Sequence, residues 1–196
     1  LQSSNLGNIG IIYEDERNYE KALEYYFHSQ KIEEETGNQN GISRNLHRIG
    51  NIYKVQKDLV KAEESYFKAL KIAEEIGDKD HITMLTANIG SLFLLRKDHK
   101  TAETYFTRSM KIAEEIGSLD DIKVANLNLS ELYQNTNRPV EALKCYKAAM
   151  AIKDSMFNKE KNNERPTTPK IRNFIRYSLT KRPLLPEYRM FWMFMN

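Results

Sequence analysis

Cysteine is almost absent from this chain: Cys145 stands alone among 196 residues. A single thiol excludes an internal disulfide and a multi-cysteine metal site. It falls beside Tyr146 on an expected helix face, where a small buried thiol is the expectation. A lone cysteine fits either side of a membrane, so it sets no compartment. Long apolar runs are lacking as well. The longest cluster, Met190 to Met195, is far short of the roughly 20 residues that a membrane-spanning helix needs. Proline is scarce, and four of the five (Pro166, Pro169, Pro183, Pro186) gather at one end. No charged-then-apolar leader is present, and the chain opens at Leu1 inside a repeating pattern, which points to sequence upstream.

Catalytic signatures are missing too. There is no glycine-rich phosphate loop, nucleophile elbow or metal motif. His28, His47, His81 and His99 share no ligand spacing, and are read as exposed or half-buried helix residues. The runs Glu33-Glu34-Glu35, Glu74-Glu75 and Glu114-Glu115 recur at one place in a pattern, as a solvated face would. The expectation is a chain that is not an enzyme and holds no cofactor or metal.

What is present is balance and period. Hydrophobic residues make up 40% and charged residues 29%, the proportions of a folded chain. Net charge is +3, split between a mildly acidic body (−3 over 1–164) and a basic end (+6 over 165–196). Gly10, Gly50 and Gly90 are spaced by 40, with Ser130 in the fourth place. Tyr13, Tyr53, Phe93 and Tyr133 keep the period, as do Ala22, Ala62, Ala102 and Ala142. So do Tyr26, Tyr66, Phe106 and Tyr146; Ser29, Ala69, Ser109 and Ala149; and Ile32, Ile72, Ile112 and Ile152. Six columns with one period define a repeat.

Each unit reads as two helices. Asn40, Asp80 and Asp120 are placed to cap the first, and Asn18, Asp58 and Asp98 the second. Gly37, Gly77 and Gly117 end the second helix, where a residue free to take positive φ is needed. Small residues at Gly50 and Ala62 let the paired backbones approach, and aromatic residues such as Tyr53 and Tyr66 fill the gaps. No unit buries its apolar face alone, so stability must come from stacking.

The stretch Asn5-Leu6-Gly7-Asn8-Ile9-Gly10 through Tyr13, and then Tyr19-Glu20-Lys21-Ala22-Leu23-Glu24-Tyr25-Tyr26, resembles the tetratricopeptide repeat (TPR). The usual unit has about 34 residues; these resemble a longer, 40-residue variety. The resemblance implies an all-α fold, an α-solenoid of four helix-turn-helix repeats in a right-handed superhelix. The array spans 1–163, with repeats near 1–38, 39–78, 79–118 and 119–163, followed by a basic, proline-containing segment at 164–196. The last unit, Ala142-Leu143-Lys144-Cys145-Tyr146 through Ala151-Ile152-Lys153-Asp154-Ser155-Met156-Phe157, is similar to the closing repeat of bacterial sensor proteins, especially those of the Bacteroidetes. The prolines after Arg165 rule out the continuous linker helix of that family. Three readings of this end compete: a disordered basic tail, an altered reading frame, or a segment that folds back on the array. Nucleic-acid contact through it is a distant alternative, since no recognition motif accompanies the charge.

In arrays of this family the first helices line the concave face and hold the ligand. Carried over by column, the groove residues are Arg44, His47, Asn51 and Lys54 in the second unit. The third unit gives Met84, Ala87, Asn88, Ser91, Leu94 and Leu95; the fourth gives Val124, Leu127, Asn128, Glu131 and Gln134. Asn51 and Asn88 match the asparagines with which some members grip a C-terminal carboxylate, but His47, Val124 and Asn128 stand where cations belong. The expected partner is a protein or peptide, and the expected role a binding scaffold within a larger bacterial signalling protein. Met84, Leu94 and Leu127 can equally pack against neighbouring helices, and a self-associating array with an open first repeat is the alternative.

Overall fold

The computed structural model describes residues 2–164, and the expectations made for 165–196 lie outside them. Among the described residues every element is a helix. The order is α1 (Gln2–Asp15), α2 (Tyr19–Thr36), α3 (Gln39–Val55), α4 (Leu59–Ile76), α5 (Lys79–Leu95), α6 (His99–Ile116), α7 (Leu119–Asn135) and α8 (Pro139–Glu164). The chain divides into compact units at Leu1–Lys153 and Asp154–Asn196. The first holds the repeats as a helical solenoid.

The helices end where local chemistry ends them. Asn18, Asp58 and Asp98 accept the amides of Lys21, Lys61 and Thr101. Gly37, Gly77 and Gly117 take φ of 70°, 73° and 69°, and their amides close the preceding turn. The first helix of each unit starts earlier than the sequence pattern suggests. Asn38, Asp78 and Ser118, not Asn40, Asp80 and Asp120, accept the amides of Gly41, His81 and Asp121. Both positions in each unit carry a short polar side chain. The one directly after the αL glycine wins, because the glycine has already turned the chain out of the helix.

Ala22, Ala62 and Ala102 are fully buried, as are Tyr26 and Tyr66, with Phe106 at 1%. Each aromatic ring lies over the glycine of its own unit: a Cβ on Gly10, Gly50 or Gly90 would come within 2.8 Å of a ring carbon. The rings also meet the first helix of the next unit, so Tyr26 packs with Ile49 and Ile52, and Phe106 with Leu129 and Leu132. Burial thus runs from one unit to the next.

Glu33 and Cys145 depart from the expectations of the sequence. Glu33 is buried, not solvated; it occupies a column filled by the buried Ala73 and Ala113. Its carboxylate accepts Asn38 Nδ2 at 2.6 Å and fills space left by Gly41. Cys145 is half-buried rather than fully enclosed, and burial raises its thiol pKa.

Candidate functional site

The residues expected to line the groove fall at spacings of three and four along α3, α5 and α7, hence on one stripe of each helix. Arg44 is exposed at one end, its guanidinium 3.7 Å from Asp78 and its Nε donating to Asn40. His47, Asn51 and Lys54 are half-buried. On α5, Met84 and Leu95 stay 40% and 59% exposed, while Ala87, Asn88, Ser91 and Leu94 are half-buried. On α7, Val124, Leu127, Glu131 and Gln134 are exposed and Asn128 is half-buried. Met84, Leu95, Val124 and Leu127 stay outside the core, whereas Leu94 packs in part against the cluster of Phe106, Leu129 and Leu132.

Beneath this stripe runs a chain of hydrogen bonds that the sequence pattern does not announce. His81 is buried, 1% exposed, where a half-buried or exposed position was expected. Its Nδ1 lies 3.1 Å from Ser43 Oγ and its Nε2 lies 3.3 Å from His47 Nδ1. His47 Nε2 lies 2.7 Å from Asn88 Nδ2, and Asn88 Oδ1 accepts Lys54 Nζ at 3.1 Å. Direction follows from one fact. Ser43 Oγ donates to the Ala69 carbonyl at 2.8 Å, so it can only accept from His81. His81 then carries its proton on Nδ1 and accepts at Nε2; His47 donates from Nδ1 and accepts the Asn88 amide at Nε2. Every donor from Lys54 to Ser43 points the same way, and both imidazoles are neutral.

Electrostatics agree. Burial, with His81 and the cations Arg48, Lys54 and Arg44 nearby, pushes His47 down to about 3. Burial also lowers His81 and Lys54. Asn88 has both amide atoms engaged by His47 and Lys54, and Asn51 Oδ1 accepts the Tyr66 hydroxyl at 2.7 Å. Asn88 Nδ2 is thus engaged by His47, whereas the Asn51 bond uses only its acceptor oxygen. The signal for the His47–His81 pair is a separation rather than a column. Contacts between α3 and α5 recur 34 residues apart, in His47–His81 and again in Lys54–Asn88.

Beyond Lys54 the surface opens into a cleft of about 560 Å³. Lys54, Ser91, Leu94, Leu95 and Glu131 line it, as expected of groove residues. Lys97, His99 and Asn135 line it too, and no column marks them. Lys97 belongs to the tight turn that joins the helices within each unit. There Arg17, Lys57, Lys97 and Asn137 all take φ between 55° and 64°. Among the described residues no group of three His, Cys, Asp or Glu could hold a metal ion.

The tetratricopeptide-repeat family model matches residues 1–75, 41–115 and 80–155. The chain belongs to the tetratricopeptide-repeat family. No curated protein matches the sequence. Several solved structures share the TPR fold. BtubC (BKLC) from P. vanneervenii is 20% identical with a TM-score of 0.71, covering 79% of this chain and 64% of that protein. Aspartyl phosphate phosphatase F from Bacillus subtilis is 15% identical with a TM-score of 0.75, covering 79% and 41%. The Rap conjugation gene regulator of plasmid pLS20, in complex with the Phr* peptide, is 16% identical with a TM-score of 0.71, covering 89% and 50%. The chain therefore spans from about two-fifths to two-thirds of the length of these proteins, and at such identities they share the fold alone.

Proposed function

We propose that this TPR array is a non-enzymatic scaffold that binds a peptide or an amphipathic helix along the stripe of α3, α5 and α7. One observation carries the reading. Met84, Leu95, Val124 and Leu127 are 37–59% exposed on adjacent first helices, with Arg44, Lys54 and Glu131 around them. An exposed apolar stripe with a charged rim marks an interaction site on a folded domain. It suits a ligand that lays apolar side chains into the centre at helical spacing. A regulatory role within a larger bacterial signalling protein is the further part of the proposal. It is supported by the closing-repeat resemblance at 142–157 and by the fold shared with a conjugation gene regulator whose structure holds a peptide.

The test is a peptide-library screen, followed by titration of two variants. Leu94→Asp should abolish binding of the selected peptides, and Lys54→Ala should only weaken it. Selection of acidic tails whose affinity ignores Leu94 and collapses with salt would sink the proposal.

Self-association is a second reading, favoured by two columns. Ile12 is 56% exposed where Ile52, Leu92 and Leu132 are at most 1%, and Tyr146 is 48% exposed where Tyr26, Tyr66 and Phe106 are at most 1%. Stacking these faces on one another would give assemblies that grow with concentration, so sedimentation across a dilution series separates the readings.

A further inference from the structure

The cleft beside Leu94 holds charges that the chain has not matched. Lys54 reaches it from the end of α3, Lys97 from the α5–α6 turn and Glu131 from α7. Among the described residues, no carboxylate lies within ion-pair distance of either lysine, and no cation within that of Glu131. One residue away the arrangement differs. Arg96 is held by Glu63 and by the Leu59 carbonyl, while Lys97 points no charge at a partner.

Lys54 is fixed without being neutralised. Asn88 accepts its ammonium at 3.1 Å, His47 accepts the Asn88 amide, and His81 locks the His47 ring. Asn88 supplies a lone pair and the Tyr66 ring, its centroid 5.9 Å from Nζ, a π face; neither carries a formal charge, so the cation is held in place without a counter-ion. Its burial opposes the charge, and an arriving anion would relieve that opposition. His99 Nδ1, in the wall of the same cleft, is a buried ring nitrogen without a hydrogen-bond partner. The site therefore offers two unmatched cations and one unused polar atom. Leu94 and Leu95 line it as well, and a single carboxylate, Glu131, comes from α7.

The geometry points to a subsite for a carboxylate of the bound segment, gripped by Lys54 and Lys97. An apolar residue of the ligand rests on Leu94 and Leu95, and a basic residue answers Glu131. The inference rests on the peptide-groove reading and names the ligand's charge pattern. The carboxylate is a side chain rather than a chain end, because the same segment also sets a basic residue against Glu131. A polyphosphate backbone fits worse, since Glu131 and two leucines share the cleft with the lysines. His81, 1% exposed, cannot touch the ligand. It is a positioning residue that acts through His47 and Asn88 on Lys54.

The experiment titrates the full chain with four synthetic helical peptides by fluorescence anisotropy. The first carries Glu, Leu and Lys in successive turns, with an amidated end. The second has Gln for Glu, the third reverses the charges, and the fourth is the Gln peptide with a free C-terminus. The Glu peptide should bind about tenfold more tightly than the Gln peptide, the scale of one well-placed charge pair. It should likewise outbind the charge-reversed peptide, and parity between those two would overturn the subsite. In Lys54→Met/Lys97→Met the Glu and Gln peptides should bind alike, at or below the affinity of the unaltered chain for the Gln peptide. His81→Asn should shrink the preference and leave the Gln peptide unaffected; the surface double variant tests the subsite if His81→Asn does not fold. Equal affinity for the Glu and Gln peptides, with both lost in Leu94→Asp, would overturn the subsite and leave the groove standing. If no peptide binds, the groove reading falls with it. Preference for the free C-terminus would overturn the side-chain assignment, and displacement by a polyphosphate oligonucleotide would overturn the choice of ligand class.

Discussion

At the residue scale, the period of 40 is enforced by what cannot be added. A Cβ on Gly90 would meet Phe106 ring carbons at 2.5 and 2.6 Å, so the glycine column exists to seat the aromatic column. In the fourth unit, where no further first helix follows among the described residues, Tyr146 in the place of Phe106 is 48% exposed rather than buried. Gly90→Ala should therefore cost about 1–3 kcal/mol by overpacking, read as a lower urea midpoint. Retention of the wild-type midpoint would mean that the ring moves freely. The turn residues make the opposite prediction. Lys57 sits at φ 64°, a conformation that costs a non-glycine residue on the order of 1 kcal/mol. Lys57→Gly relieves that strain and should stabilise the array slightly, by up to about 0.5 kcal/mol after the added chain entropy. A lower urea midpoint in this variant would show that the turn is unstrained.

At the scale of the element, what repeats is legible and what does not is hidden. Helix ends at the glycines and the caps of α2, α4 and α6 stand in columns, so spacing alone exposes them. The caps of α3, α5 and α7 are misplaced by two residues in the sequence pattern, because Asp78 and Asp80 are chemically alike and only backbone geometry separates them. The helix crossing within each unit shows how a column can hide a recurring contact. Ser29 donates to the Ser3 carbonyl, Ser43 to the Ala69 carbonyl and Ser109 to the Thr83 carbonyl, each across 26 residues. The hydroxyl changes helix from unit to unit while the bond stays. The groove stripe is legible as columns on one helix face. Its underlying hydrogen-bond chain is not, since the pairing of His47 with His81 and Asn88 has no counterpart in the other units. The cap register is testable: Asp78→Ala should cost about 1 kcal/mol, and Asp80→Ala less than half of that. Equal losses in thermal unfolding would show that the helix starts where the sequence alone places it.

At the scale of the whole molecule, the neutral histidine pair ties the second repeat to the third and should make the array sensitive to acid. The folded chain holds His47 down at about 3, whereas an unfolded chain protonates it near 6.5. As pH falls below 6.5 the unfolded state takes up the proton first, so stability drops through the window from 6.5 towards 3. Above that window the group is neutral in both states and its contribution is flat. His81 is shifted in the same direction by burial, with Asp78 at the α5 cap opposing and Arg44 assisting. Arg44, Arg48 and Lys54 on α3 face His47 as cations and disfavour a second positive charge. A proton entering the chain would also set two donors against each other, since every link already runs one way from Lys54 to Ser43. Between pH 7 and pH 5 one such group costs up to about 2 kcal/mol, because each tenfold rise in proton concentration favours the unfolded state by at most about 1.4 kcal/mol. The carboxylates with lowered pKa (Asp58, Asp98 and Glu141) begin to lose their contribution only nearer about pH 4. Urea unfolding at pH 7 and pH 5 therefore isolates the histidines. The wild-type chain should lose stability across this interval, and His47→Gln/His81→Gln should not. Parallel losses in both proteins would place the acid sensitivity outside the pair.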